Sequence, residues 1–262
     1  MTIIVSCSLI AAVLSTNPPD TCGPVPKDMA CIPGGEFTRG RNDGKPREAP
    51  EMRLHIDTFW MDITEVTVEA YRACVRAEAC RRAGPRYKGF SQKTQPILGV
   101  RWFDARDYCQ WKGKRLPTEA EWEKAARGPD GERYPWGNDK PSCKRTVYKA
   151  AATNGCGRGT TWPVMSKPVG RYGLYDMAGN AWEWVADWYA PNYRACGPGC
   201  SRPNPKGPCD GATECPGHHT KVVRGGSWWW NWQYVSSSWR RYHRPENRPF
   251  HHFGFRCASD VK

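Results

Sequence analysis

Gly113-Lys114-Arg115-Leu116-Pro117-Thr118-Glu119-Ala120-Glu121-Trp122-Glu123-Lys124-Ala125-Ala126-Arg127 is the stretch whose reading decides the fold. Thr118 and Glu121 stand in capping-box register: the hydroxyl accepts from an orphan amide of the first turn, and the carboxylate reaches back to the cap. The pattern predicts a helix running to about Arg127 and stopping at Gly128.

Working outward, Asp104 offers an N-cap for a short helix with Ala105, Tyr108, Cys109 and Trp111 turned inward. Thr67 does the same for a helix with Val68, Tyr71 and Val75 on one face, ending near Cys80. Residues 55–62 alternate apolar and polar and predict one half-buried strand. Residues 29–37 predict a strand ending in a glycine turn, 221–227 a strand into a second glycine turn, and 254–258 a closing strand. Residues 81–97 and 191–219 have the composition of loops.

Fourteen Trp with 26 Gly and 23 Pro put much of the buried surface in large rings on a loop-rich frame, which disfavours a helical bundle. A single α+β domain over residues 20–262 accounts for these features. The 39 Lys+Arg exceed the 26 Asp+Glu, giving +13, but the basic residues are scattered like a solvated surface, so nucleic acid is not an expected partner.

Thirteen cysteines are more than a reducing cytosol usually tolerates without a metal or redox role. No paired knuckles of the zinc type occur. Local pairs are expected instead: Cys22 with Cys31, Cys74 with Cys80, Cys143 with Cys156, and bonds of open pairing among Cys196, Cys200, Cys209 and Cys215. The apolar run from Ile3 to Leu14 is too short to cross a bilayer and reads as the core of an export signal over residues 1–19, though no Lys or Arg precedes it. Loss of Cys7 with that signal leaves an even number of cysteines. The expectation is an exported chain with no transmembrane helix.

Several blocks, in order, resemble the formylglycine-generating-enzyme, or sulfatase-modifying-factor, family. They are Ile32-Pro33-Gly34-Gly35-Glu36-Phe37, Glu65-Val66-Thr67, the stretch from Tyr108 to Glu123, Tyr134-Pro135-Trp136-Gly137, Gly173-Leu174-Tyr175-Asp176-Met177-Ala178-Gly179-Asn180, Trp182-Glu183-Trp184, Arg224-Gly225-Gly226-Ser227-Trp228 and Gly254-Phe255-Arg256. The resemblance implies a compact, loop-rich α+β fold related to C-type lectins, with little regular secondary structure. It implies a structural disulfide between Cys109 and Cys257, and a calcium site at Asn180 and Glu183, a hard oxygen donor set. In the sulfatase-activating members, two cysteines after the glycine turn bind copper(I) and oxidise a substrate cysteine to formylglycine. Here Trp230 and Val235 hold those positions and no cysteine lies between Lys221 and Gly254, so neither copper nor that reaction is expected.

Two further groups stand out. Trp228, Trp229, Trp230, Trp232 and Trp239, with Arg240, Arg241 and Arg244, either line a cleft for a protein, peptide or carbohydrate ligand or fill the space of a lost active site. His243, Glu246, His251 and His252 are either ligands of a non-copper oxidase, like the family's pyoverdine-maturation oxidase, or residues packed beside Phe250 and Phe253. The leading expectation is a binding or structural module; a non-copper oxidase or protein-modifying enzyme is the alternative.

Overall fold

Three short helices are placed by local caps. The computed structural model describes residues 22–85, 87–246 and 252–261, so the expected leader with Cys7, and Arg248, Phe250 and His251, fall outside the described residues. In α1 (Val68–Arg76) the Thr67 hydroxyl accepts from Ala70 N at 3.2 Å. The helix ends before Cys80, because Glu78 turns to a positive φ of 57° and the Cys74–Cys80 disulfide folds the chain back.

In α2 (Trp102–Trp111) the cap is Arg101, and Asp104 plays the other half of the box, accepting from Arg101 N at 3.1 Å and from its guanidinium at 2.8 Å. Ala105, Tyr108 and Cys109 are buried, but Trp111 is 40% exposed. At roughly 100° per residue, position 111 points about 160° away from Cys109. In α3 (Glu119–Arg127) the capping box forms as the sequence predicts: Glu121 N donates to Thr118 Oγ1 at 3.2 Å, and Thr118 N to Glu121 Oε2 at 2.7 Å.

Residues 29–37 divide into β1 (Met29–Ile32) and β2 (Gly35–Arg39), and residues 55–62 into β3 (Met52–Ile56) and β4 (Phe59–Asp62). The second break is enforced from afar, since Asp57 N donates to Asn204 Oδ1 at 2.7 Å and Gly34 N to Thr58 Oγ1 at 2.9 Å. Among the described residues β2 pairs with β3 alone. β5 (Trp182–Trp188), β6 (Lys221–Arg224), β7 (Arg241–His243) and β8 (Phe253–Gly254) form a sheet in the order β7-β6-β5-β8. β9 (Ala258–Asp260) completes an antiparallel sheet in the order β1-β4-β9. The closing segment is therefore two strands in two sheets, with Phe255, Arg256 and Cys257 crossing between them.

The core is built of rings. Trp122, Trp182 and Trp184 are fully buried, each removing roughly 150–250 Å² from water, worth about 4–6 kcal/mol as an upper bound. Tyr71, Tyr108 and Phe255 pack around the Cys109–Cys257 disulfide, which joins α2 to the crossing segment. The other bonds are Cys22–Cys31, Cys143–Cys156, Cys196–Cys200 and Cys209–Cys215, so every cysteine of the described residues is paired. Among the described residues no helix is long and apolar enough to cross a membrane.

Candidate functional site

The segment after the second glycine turn is held from beneath by buried ion pairs radiating from α3. Glu123 is fully buried and accepts from Gly40 N at 2.7 Å, from Arg127 Nη1 at 2.8 Å and from Arg224 Nη2. Burial alone would push this carboxyl up; Arg224 and Arg127 outweigh it and hold it below the ordinary carboxylate value. Arg224 also donates from Nη1 and Nη2 to the carbonyls of Ser237, Ser238 and Trp239 at 3.0, 2.9 and 2.8 Å, while its Nε lies 3.7 Å from Glu119 Oε1. Arg240 forks onto Glu119 at 2.7 and 2.9 Å.

Above this network the turn itself is tight. Gly226 has a φ of 80°, and a Cβ there would meet Tyr234 O at 2.7 Å and Val235 Cγ1 at 2.8 Å, so only glycine lets the turn close onto Val235. Val235 is fully buried. Trp230 packs against Tyr234 with centroids 4.8 Å apart and the ring planes tilted by 48°, and the Arg241 guanidinium lies 4.5 Å from its ring. An isopropyl group and an indole thus occupy the positions of the copper thiolates implied by the resemblance, and neither binds Cu(I). The residues present do not fit that metal.

At Asn180 and Glu183, the calcium donors implied by the resemblance are largely engaged by protein groups. Both Glu183 oxygens face the Arg256 guanidinium at 2.8 Å, and Oε2 also accepts from Trp122 Nε1 at 2.8 Å. Asn180 donates to Glu65 at 2.8 Å and accepts from Trp162 N at 3.0 Å. Three of the four lone-pair sites of the Glu183 carboxylate thus face protein donors, which leaves one, on Oε1, for a hard cation.

The predicted aromatic cluster is dispersed. Arg240 is fully buried, and Trp228 is 3% exposed against Phe90, so neither belongs to a surface. Trp229 and Trp232 are exposed, as is Arg244, while Arg241 is half-buried. Trp232 and Trp239 meet across a groove of about 220 Å³ whose other walls include Arg41, Lys45, Arg133 and Tyr134. No sequence signal joins these four to the tryptophans, since they arrive from distant segments. His252 packs on Trp228 and Trp229 at 5.5 and 5.8 Å, His243 sits 4.9 Å from Phe253, and Glu246 is exposed. Among the described residues no three His, Cys, Asp or Glu side chains converge as a metal site.

Residues 15–261 match the family described as Sulfatase-modifying factor enzyme 1-like domain. The chain is 36% identical over 262 residues to the serine/threonine-protein kinase Pkn1 of Chlamydia trachomatis, covering 91% of this chain and 39% of that protein. It therefore spans about two fifths of that relative's length. It is 32% identical to the formylglycine-generating enzyme of Bos taurus, covering 90% of this chain and 75% of the enzyme. The solved structure of PvdO from Pseudomonas aeruginosa superposes with a TM-score of 0.76 at 26% identity, covering 93% of this chain and 99% of that one.

Proposed function

The chain belongs to the sulfatase-modifying factor enzyme 1-like family, and we propose that it is an exported binding module of that family without formylglycine-generating activity. One observation supports this reading: Val235 is sealed under the glycine turn and Trp230 packs at a tilt against Tyr234, at the positions where the resemblance implies two copper(I) thiolates. With every described cysteine in a disulfide, no neighbouring thiol substitutes for them. Six disulfides support export, because such bonds persist outside a reducing cytosol. A match to only 39% of a longer protein supports use of this domain as a module.

The ligand contact is the groove between Trp232 and Trp239. The lining also includes Glu48 and Asp43, the latter holding Arg41, so Lys45 and Arg133 beside the indole faces are the cations that suit an acidic peptide side chain or an acidic sugar ring, and about 220 Å³ admits one such unit rather than a large cofactor. Titration of the mature protein with acidic peptides and acidic oligosaccharides, followed by tryptophan fluorescence, tests this. Saturable, salt-sensitive binding that weakens about tenfold in Trp232→Ala, with an unchanged melting temperature, is expected. No saturable binding, or full affinity in that variant, overturns the groove assignment. Stoichiometric iron or copper in purified protein would instead favour the oxidase alternative.

A further inference from the structure

A second cavity, of about 530 Å³, lies between α2, the segment before α3, β5, β6 and the loop around residues 204–213. Lys221, the first residue of β6, lines it although the residue is only 2% exposed. Its Nζ lies 4.1 Å from the Trp102 ring centroid and 3.8 Å from that of Trp188, and donates to Ala186 O at 2.8 Å. Both indoles are fixed, Trp102 Nε1 to Val185 O at 2.8 Å and Trp188 Nε1 to Ala212 O at 3.0 Å. Among the described residues no carboxylate oxygen lies within 4.0 Å of this amine.

An ammonium in such a box has lost its water without gaining a counter-ion. Burial pulls its pKa down to about 7; Asp187 on β5 opposes the shift and Arg106 on α2 adds to it. Asp187 is itself pushed up to about 7 by burial and by Glu119, which weakens its support for the cation. A lysine desolvated in this way is a nucleophile near neutral pH. The remaining charged groups of the cavity are Asp57, Arg115, Glu121, Lys206 and Asp260, of which Arg115 is committed to Glu121 and Asp260. Arg106 is likewise committed, its Nε and Nη2 donating to Asp107 Oδ1 at 2.9 and 2.7 Å, which leaves Lys206 at the wall to receive an anion.

We propose that this cavity takes a small anionic carbonyl compound and that Lys221 captures it as an imine. The Nζ lone pair adds to the carbonyl carbon, the carbon–oxygen bond breaks, and the oxygen leaves as water with the two amine hydrogens. No oxidant or reductant is consumed. This site is independent of the groove at Trp232.

The test uses pyridoxal 5′-phosphate as an anionic aldehyde, trapping with cyanoborohydride, which spares disulfides, and peptide mapping. At pH 7, Lys221 should be labelled at least about tenfold faster than the exposed lysines, with a rate that levels off above about pH 8. Lys206→Met should slow labelling of Lys221 while leaving the other lysines unchanged, and Lys221→Arg, which keeps the cation between the indoles, should remain folded and unlabelled there. Labelling confined to exposed lysines overturns the proposal. So does labelling of Lys221 no faster than theirs, or a rate still climbing toward pH 10.

Discussion

Arg224→Met asks whether the buried ion network beneath the glycine turn holds the groove wall in place. The guanidinium is fully buried, pairs with Glu123 and donates to the carbonyls of Ser237, Ser238 and Trp239. Breaking a buried pair from one side costs about 3–5 kcal/mol, because the remaining charge stays in the protein without its counter-ion. Glu123 keeps Arg127 at 2.8 Å and the Gly40 amide, which places the expected loss near the lower end, about 3–4 kcal/mol. For a domain of this size that is a fall of roughly 6–16 °C in melting temperature. Guanidinium unfolding of the oxidised protein measures it. Arg224→Lys, which keeps the charge but not the fork, should fall between wild type and Met. In a double-mutant cycle with Glu123→Gln, coupling of at least about 1 kcal/mol is expected. A loss below about 1 kcal/mol for Arg224→Met, or a cycle with no coupling, would refute the reasoning.

Removing Cys109 and Cys257 together opens a loop of 148 residues, for a loss of about 4–5 kcal/mol in the chain-entropy account, read as a lower denaturant midpoint. Asp187 and Asp176 have folded pKa values raised by burial, to about 7 and about 6, so the folded state holds protons the unfolded chain has lost. Their contribution is present at low pH and disappears as pH rises through those values. Unfolding free energy should therefore fall between about pH 4 and 7 with a slope on the order of 1 kcal/mol per unit, and Asp187→Asn should flatten it; an unchanged slope in that variant counts against the assignment. Because Glu183 and Asn180 are largely engaged by protein partners, a calcium chelator should leave the melting temperature unaltered, and a chelator-induced drop would restore calcium to that site.

What the sequence discloses is local. The box of Thr118 and Glu121 is read correctly because both partners sit within one turn, and the close cysteine pairs for the same reason. Asp104 is misread because an acid at the cap and one three residues inside look alike until the backbone is placed. Arg240 looks like a surface cation, yet its partner Glu119 lies 121 residues away and only the fold brings them together. The groove shows the same limit: Trp232 and Trp239 are visible as a cluster, but Arg41, Lys45 and Arg133 come from segments with no motif of their own. Residues 55–62 alternate like one strand, and it is Asn204 that ends the first half.

Neither Trp230 nor Val235 carries the thiolate that copper(I) requires at the positions the family resemblance implies. Protein reconstituted with excess copper(I) and incubated in air with a cysteine-containing sulfatase peptide, followed by mass spectrometry, tests this directly. The expected result is a peptide that keeps its cysteine, beside a formylglycine-generating enzyme control that converts it. An aldehyde product that scales with the amount of this protein would contradict the account.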